Sequence, residues 1–275
     1  MVIPNIIYKT GKDDKIIDEE ILKCFENNKK RLNGTLIYFS NKTCRQFIKK
    51  YFPVRVLHSF DSLIPGAFKA DLWRLCVLYI HGGIYSDLTQ TFLQNYDVNV
   101  PKSDLILTLD HPQSIQNLLH MGIQIPPFAI YNAFMCTKPK NTFILFCIKG
   151  IVNQISQQNY GVNPLDITGP IALAKHFVSF FRTNLKTGCH KYLGLDKKIH
   201  IINVPFVSDT RYCINIKNER VFKNRIESHY YKIYNTNNAS FGLYPKEHYS
   251  NLWRESKIFA NNTPHMKKKM HRLLL

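Results

Sequence analysis

Residues 68–89 read FKADLWRLCVLYIHGGIYSDLT and form the most informative stretch of the chain. The part from Ala67 to Ile80 is apolar nearly all round, which predicts a buried helix. Gly82-Gly83 then ends this helix, because glycine readily adopts the backbone conformations that follow a helix. Ile84–Ser86 resumes as a short strand and leads directly to Asp87. A helix, a glycine turn and a strand in this order predict one unit of an α/β domain.

The same alternation of strands and helices continues on both sides. Strands are predicted at Val2–Tyr8, Thr35–Phe39, Val54–Phe60 and Asp104–Leu109, and helices follow caps at Asp13 or Asp14 and at Ser40 or Asn41. This pattern predicts an α/β fold with a central, mostly parallel sheet flanked by helices. Ligands of such open sheets bind beyond the carboxyl ends of the strands. We therefore expect site residues just after Tyr8, Phe60 and Tyr85.

The second half of the chain is expected to complete the same domain. It holds an apolar segment at Phe128–Cys136, predicted helices near Thr142–Ser156 and Pro170–Phe181, and short aromatic-rich strands after Ile199. No internal repeat or low-complexity linker divides the chain. We therefore predict one domain over residues 1–275.

The composition describes a globular but strongly basic protein. Hydrophobic residues make up 45% of the chain, which is enough for a large core, and the formal net charge is +18. Such a charge favours anionic partners, but surface lysines that keep a protein soluble explain it equally well. A nucleic-acid-binding protein is the alternative from another class. No zinc finger, helix-turn-helix spacing or RNA-binding aromatic pattern supports it, so no specific nucleic acid partner is expected.

Cysteine usage and apolar runs indicate the compartment. The seven cysteines are scattered singly without a CxxC pair, which is typical of reduced core residues. No run reaches the roughly 18 apolar residues of a membrane span, and the N-terminus lacks a signal-peptide pattern. We expect a soluble cytoplasmic protein whose basic run His265–Arg272 makes at most weak contact with anionic surfaces.

Charged side chains on the predicted buried helix point to a ligand. Asp71 and Arg74 are three residues apart and share a helix face. One explanation is an intrahelical ion pair, and the other is a ligand whose hydroxyls and phosphates satisfy both charges. Asp87 follows a strand directly after a glycine turn, at the edge where ligands of such sheets bind.

Taken in order, two segments resemble the central motif of the DXD-containing glycosyltransferases. They are residues 69–74 (KADLWR) and residues 82–89 (GGIYSDLT). The chain is similar to glycosyltransferase family 32, which is related to initiation-specific α-1,6-mannosyltransferases, capsular sugar transferases and large glucosylating toxins. Further matches follow in the family's order: residues 3–8 (IPNIIY), 132–135 (NAFM), 168–170 (TGP), and His248 with residues 251–253 (NLW).

This resemblance implies a GT-A-type fold and a hexosyltransferase that uses a UDP- or GDP-sugar donor and retains the anomeric configuration. The acceptor would be a glycan, a protein or a lipid. The resemblance also divides the chain into a nucleotide-sugar-binding half (1–110), an acceptor-side half (111–264) and a basic tail (265–275). Divalent Mn²⁺ or Mg²⁺ and an arginine would stabilise the charge that develops on the leaving diphosphate.

The resemblance also implies roles for individual residues. Catalytic roles fall on Asp71, Arg74, Asp87 and Trp253. The residues implied to bind the donor are Tyr8, Thr10, Lys69, Asp71, Arg74, Tyr85, Ser86, Asp87, Thr168, Gly169, Asn251 and Trp253. The residues implied to bind the metal are Asp87, Thr89, His248 and Asn251.

The chain departs from the family pattern at Thr89, where the family has the second Asp of its DXD motif. Three outcomes are open. The metal is held by Asp87, the diphosphate and His248 or Asn251; catalysis is independent of metal and uses Lys and Arg; or the protein is an inactive relative that binds sugar or nucleotide. In the first-strand motif, which would border the nucleotide base, Tyr8 replaces the family's usual His, and Gly11 stands where the family often has Trp.

Overall fold

The computed structural model describes residues 2–99, 103–110, 113–181, 199–202, 212–214, 220–223 and 248–260. The strands are β1 (Ile6–Gly11), β2 (Thr35–Ser40), β3 (Gly83–Ser86), β4 (Thr91–Phe92), β5 (Leu105–Leu109), β6 (Ile130–Thr137), β7 (Ile199–Ile202), β8 (Tyr212–Ile214) and β9 (Arg220–Lys223). The helices are α1 (Glu19–Arg31), α2 (Asn41–Tyr51), α3 (Val54–Ser62), α4 (Gly66–His81), α5 (Gln113–His120), α6 (Thr142–Ser156), α7 (Pro170–Phe181) and α8 (Tyr249–Arg254). A short 3₁₀ turn lies at Pro164–Asp166.

A six-stranded sheet in the order β2-β1-β3-β6-β5-β7 forms the centre of the molecule. Strand β1 runs parallel to β2 and to β3, and β5 runs parallel to β7. Strand β6 is antiparallel to both of its neighbours, so the other five strands point in one direction. Strands β4, β9 and β8 form a second, antiparallel sheet. The prediction of an α/β fold with a mostly parallel central sheet is confirmed.

Helix α4 is buried against the central sheet, as its apolar sequence predicts. Trp73 and Leu72 are fully buried in a large core that also includes Tyr85 of β3 and Ile144 of α6. On the opposite face of the sheet, Ile84 belongs to a second, smaller cluster. Because successive side chains of a strand point to opposite faces, β3 contributes to both cores.

The glycine turn between α4 and β3 is required by its geometry. Gly82 has a φ of +65° and Gly83 a φ of +97°, a region that residues with a side chain rarely adopt. A Cβ at Gly83 would lie 2.7 Å from the carbonyl oxygen of Ile6, and one at Gly82 would lie 2.6 Å from the nitrogen of Pro139. Gly83 therefore lets β3 run close to β1, and Gly82 lets the turn pass close to the backbone just after β6.

The prediction of a strand at Val54–Phe60 is wrong, because these residues form helix α3. The β-branched Val54 and Val56 favour a strand locally. However, the buried residues Val56 and Phe60 are four apart, which is the spacing of a helix face. Phe60 therefore does not end a strand, so the reason for expecting a site residue after it does not hold.

Several boundaries also differ from the prediction. Strand β1 begins at Ile6 and continues to Gly11, so Tyr8 is not its last residue. Helix α1 is capped by Asp18, whose side chain accepts from the backbone of Ile21 at 3.0 Å, and not by Asp13 or Asp14. The predicted cap of α2 at Ser40 is confirmed, since Ser40 and Thr43 form a reciprocal capping box.

The described cysteines agree with a further expectation. Cys24, Cys44, Cys76, Cys136 and Cys147 are free and buried, as predicted for reduced core residues. Within the described ranges, every helix is too short or too polar to cross a lipid bilayer. The predicted basic tail, residues 265–275, lies outside the described residues.

Candidate functional site

Asp71 and Arg74 form a buried ion pair on helix α4. Arg74 Nη2 lies 3.0 Å from Asp71 Oδ1, and the two residues are only 5% and 8% exposed. The guanidinium also donates to the carbonyl oxygen of Asn132 at 2.6 Å and stacks over the ring of Tyr85, with Cζ 4.3 Å from its centroid. The sequence left two explanations for these charges, an intrahelical ion pair or a bound ligand. The structure shows that the ion pair is formed.

Two further donors hold the carboxylate of Asp71. Asn132 Nδ2 donates to Oδ1 at 2.9 Å, and Thr168 Oγ1 donates to Oδ2 at 2.7 Å. Burial raises the pKa of Asp71 to about 6, although the charge of Arg74 and these hydrogen bonds favour the ionised form. The carboxylate is therefore ionised at neutral pH, and its orientation is fixed by groups from α4, β6 and the loop before α7.

Asp87 is the part of the site that reaches solvent. Its side chain is 43% exposed, and its Oδ1 lies 3.4 Å from Arg74 Nη1 and accepts from the Tyr85 hydroxyl at 2.8 Å. Both contacts involve Oδ1, so among the described residues Oδ2 remains available to a ligand. Asp71, Arg74 and Asp87 thus form a continuous array, which we call the acidic array, from the core to the carboxyl end of β3.

A buried lysine supports the loop that carries Asp87. Lys9 is fully buried, and its Nζ donates to the carbonyl oxygens of Asp87 at 2.7 Å and Gln90 at 3.1 Å. Burial lowers the pKa of Lys9 to about 8, whereas the nearby Cys24 and Asp87 act to raise it. The ammonium is therefore charged at neutral pH and lies directly beneath the loop.

Tyr8, Thr10 and Ser86, which are also predicted to bind the donor, have buried side chains. Tyr8 and Thr10 pack into the core on the same face of β1, and Thr10 Oγ1 donates to the carbonyl oxygen of Phe39 at 2.9 Å. Ser86 is fully buried and donates to Gln90 Oε1 at 2.9 Å. Contact of these three residues with a donor would have to involve their backbone atoms.

Other predicted residues lie at different distances from the acidic array. Thr168 joins it directly, and Gly169 follows in the chain at the start of α7. Lys69 is two residues from Asp71, so it lies on a different face of α4, and its Nζ is 5.5 Å from the centroid of Phe60. The structure therefore does not bring Lys69 together with Asp71 and Arg74.

Helix α8 carries the C-terminal residues of the prediction. Its N-cap is His248, whose side chain accepts from the backbone nitrogen of Ser250. Trp253 Nε1 donates to the carbonyl oxygen of Tyr160 at 2.6 Å, and the ring of Tyr249 packs against Phe68 of α4. The helix is thus anchored to α4 and to the loop after α6. The roles of His248, Asn251 and Trp253 stay predictions.

The residues present fit a divalent cation only if the ligand supplies most of the coordination. Within the described ranges, no group of three or more His, Cys, Asp or Glu side chains could hold a metal ion. Asp87 offers an accessible carboxylate, and Thr89 is partly exposed in the same loop. One carboxylate suits Mg²⁺ or Mn²⁺ when phosphate oxygens complete the shell.

Sequence reasoning missed two residues that hold the site together. Asn132 lies in the segment NAFM that carries part of the resemblance, but its contacts with Asp71 and Arg74 depend on the pairing of β6 with β3. Lys9 was not singled out. Its one available signal was a lysine within an apolar strand, on the same face as Ile7.

Comparison with known proteins places this site in a family region. Residues 17–106, which include the acidic array, match the family model described as the glycosyltransferase sugar-binding region containing a DXD motif. This part of the chain is therefore similar to the DXD-motif glycosyltransferases, which supports the resemblance found in the sequence.

One relative and one solved structure are similar to parts of the chain. An uncharacterized glycosyltransferase, L373, of Acanthamoeba polyphaga mimivirus is 35% identical over 96 residues, which are 34% of this chain and 38% of that protein. The PaToxG glycosyltransferase structure is 17% identical with a TM-score of 0.48, over 66% of this chain and 71% of its own. The chain thus aligns with well under half of the mimivirus relative.

Proposed function

We propose that the protein is a glycosyltransferase that moves a hexose from a UDP- or GDP-sugar to a glycan, protein or lipid acceptor, with retention of configuration. The observation that carries this proposal is the acidic array of Asp71, Arg74 and Asp87. It lies within the family region, at the carboxyl end of β3, where ligands of such sheets bind.

The three residues of the array have different access to a donor. Asp87 is exposed and is the residue that meets the donor directly, with Oδ2 available to a phosphate-bound cation or to a ribose hydroxyl. Arg74 contacts both carboxylates and stacks on Tyr85, so it fixes Asp87 and contributes positive charge near the leaving diphosphate. Asp71 orients Arg74 from within the core.

A divalent cation fits this proposal through Asp87. Thr89, His248 and Asn251 are the further residues that would contact it, and a neutral hydroxyl at position 89 is a poor ligand. When bound, the cation would stabilise the charge that develops on the diphosphate. We therefore propose Mn²⁺ or Mg²⁺ held mainly by the donor itself, so that metal affinity is low until the nucleotide sugar is present.

The test is a hydrolysis screen of UDP- and GDP-sugars with and without Mn²⁺, on the protein and its Asp87→Ala variant. We expect one donor to be hydrolysed and the variant to lose this activity. Asp61→Ala is the matched control, because Asp61 is also partly exposed and also pairs with an arginine, Arg45. Full activity in Asp87→Ala, or no donor bound or hydrolysed by the native chain, would contradict the proposal.

An inactive relative that binds nucleotide sugars is the second candidate, and Thr89 is the observation that favours it. Calorimetric titration with the same donors separates the two functions. Binding without hydrolysis under every metal condition supports the inactive relative. Turnover of any donor that depends on Asp87 supports the enzyme.

A further inference from the structure

The loop at residues 86–90 wraps around the ammonium of Lys9. Alternation along β1 directs Lys9 to the face opposite Tyr8 and Thr10, beneath the end of β3. The ends of the loop, Ser86 and Gln90, are fully buried. Its middle, from Asp87 to Thr89, is partly exposed. The loop is therefore anchored at both ends and presents its middle to solvent.

The contacts of Lys9 fall mostly on backbone carbonyls of this loop. Its Nζ lies 2.7 Å from the carbonyl oxygen of Asp87, 3.1 Å from that of Gln90 and 3.5 Å from that of Leu88. It also lies 3.3 Å from Ser86 Oγ. Hydrogen bonds from a charged donor are stronger than those between neutral groups, so one side chain fixes the path of the whole loop.

Neighbouring residues complete a buried polar network around this ammonium. Asn28 of α1 donates to the carbonyl oxygen of Gln90 at 2.7 Å and accepts from the backbone nitrogen of Phe92 at 2.9 Å. The Gln90 side chain accepts from Ser86 and donates to the Tyr131 hydroxyl, each at 2.9 Å. The network thus joins α1, β1, β3 and β6 through the loop.

The free-energy cost of burying the Lys9 ammonium indicates the role of this side chain. A buried ammonium loses its hydration, and only well-placed acceptors offset that loss. A methionine would fill similar space without this cost, but it would leave the inward-facing carbonyls of Asp87 and Gln90 with fewer donors. The ammonium therefore serves the conformation of the loop.

We propose that Lys9 is the positioning residue of the site: it fixes the backbone of residues 86–90 so that Asp87 is presented to the donor diphosphate. The expected effect on donor binding rests on the proposed function, whereas the effect of Lys9 on the loop geometry does not. Lys9 acts through the loop and does not touch the donor, because its side chain is fully buried.

The test compares Lys9→Met with the native chain by hydrogen exchange and by donor titration. We expect amide exchange in residues 86–92 to accelerate by about tenfold or more, while exchange in α4 and α6 stays unchanged. We also expect the Kd of the nucleotide sugar to rise by about tenfold or more. Lys23→Met is the matched control, because it removes a lysine charge from the surface of α1.

A second variant covers the case in which Lys9→Met does not fold. Lys9→Gln keeps a polar donor without the charge, and we expect it to fold with smaller changes in the same two measurements. Unchanged exchange in the loop, or equal acceleration throughout the molecule, would overturn the positioning role. A loosened loop with unchanged donor affinity would also overturn it. If the native chain binds no nucleotide sugar, the proposed function fails and the exchange result alone decides whether Lys9 fixes the loop.

Discussion

The hydrogen bond from Thr168 to Asp71 allows a quantitative test of the buried part of the site. Thr168 is fully buried, and its hydroxyl donates to Asp71 Oδ2 at 2.7 Å. The described contacts of Arg74 and Asn132 fall on Oδ1. The Thr168→Val substitution keeps the shape of the side chain and leaves Oδ2 without a described partner.

The expected loss of stability in Thr168→Val follows from the negative charge of the acceptor, Asp71. A hydrogen bond to an ionised group contributes roughly 1.5–3 kcal/mol, so we expect the free energy of unfolding to fall by about 2 kcal/mol at neutral pH. For a chain of this size, such a loss lowers the Tm by roughly 4–8 °C. The same loss would raise the pKa of Asp71 above its value of about 6, by roughly 1–1.5 units.

The pH dependence of this loss is what tests the reasoning. Asp71 is ionised in the folded protein above about pH 6 and protonated below it. The stabilising effect of Thr168 on the carboxylate is therefore fully present only above the raised pKa of Asp71 in the variant, and it is lost as the pH falls through the native value of about 6. We expect the difference between variant and native protein to be smaller at about pH 5 than at about pH 7.5 in urea unfolding monitored by fluorescence.

A matched control is available on β5. Thr108 is also fully buried, and its hydroxyl is without a hydrogen-bond partner among the described residues. We expect Thr108→Val not to lower the free energy of unfolding, and to have the same effect at both pH values, because no described bond is lost and a buried hydroxyl without a partner is removed. The absence of a loss in Thr168→Val, or a loss that is the same at both pH values, would refute the assignment of Thr168 as a partner of ionised Asp71.

Two further predictions concern the frame around the site. Gly83→Ala should lower the free energy of unfolding by about 2 kcal/mol or more, because of its positive φ and the clash with Ile6; in thermal unfolding, Gly66→Ala is the control, since its Cβ would meet nothing within 4 Å. Burial lowers the pKa of His176 to about 4. Between about pH 6.5 and pH 4 the unfolded chain therefore binds more protons than the folded protein, and the free energy of unfolding falls by up to about 3 kcal/mol as the pH is lowered through that window. His176→Gln should lessen this acid sensitivity in urea unfolding, and an unchanged pH profile would contradict the role of His176.

Local signals explain which elements were predictable from the sequence. The apolar helix ending at Gly82-Gly83 and the Ser40 cap of α2 depend on neighbouring residues alone, and both were predicted. Helix α3 was not, because the strand preference of Val54 and Val56 competes with a helical spacing that emerges only when the core is known. The antiparallel insertion of β6 into the sheet depends on contacts distant in sequence, which local patterns do not contain.

The same distinction applies to the site. Asp71 and Arg74 were recognised as one unit because their spacing places them on one helix face. Lys9 could not be recognised in this way. Its burial results from the convergence of α1, β1 and the loop after β3, and a single lysine in a strand is otherwise typical of an exposed position.

The DXD pattern combines two properties, donor binding and metal affinity, and the contacts in the structure allow them to be considered separately. Asp71, Arg74 and Asp87 are joined by direct contacts into one array, whereas Thr89 is a partly exposed residue of the loop. The resemblance implies a metal ligand at position 89, and Thr89 in place of a carboxylate would weaken that ligand without removing any contact that orients the array. Under the proposed function, donor binding would therefore depend on the array and on the loop that Lys9 holds, while the residue at position 89 would affect only the affinity for the metal. A protein with Thr89 is accordingly expected to keep the first property and to be weakened in the second.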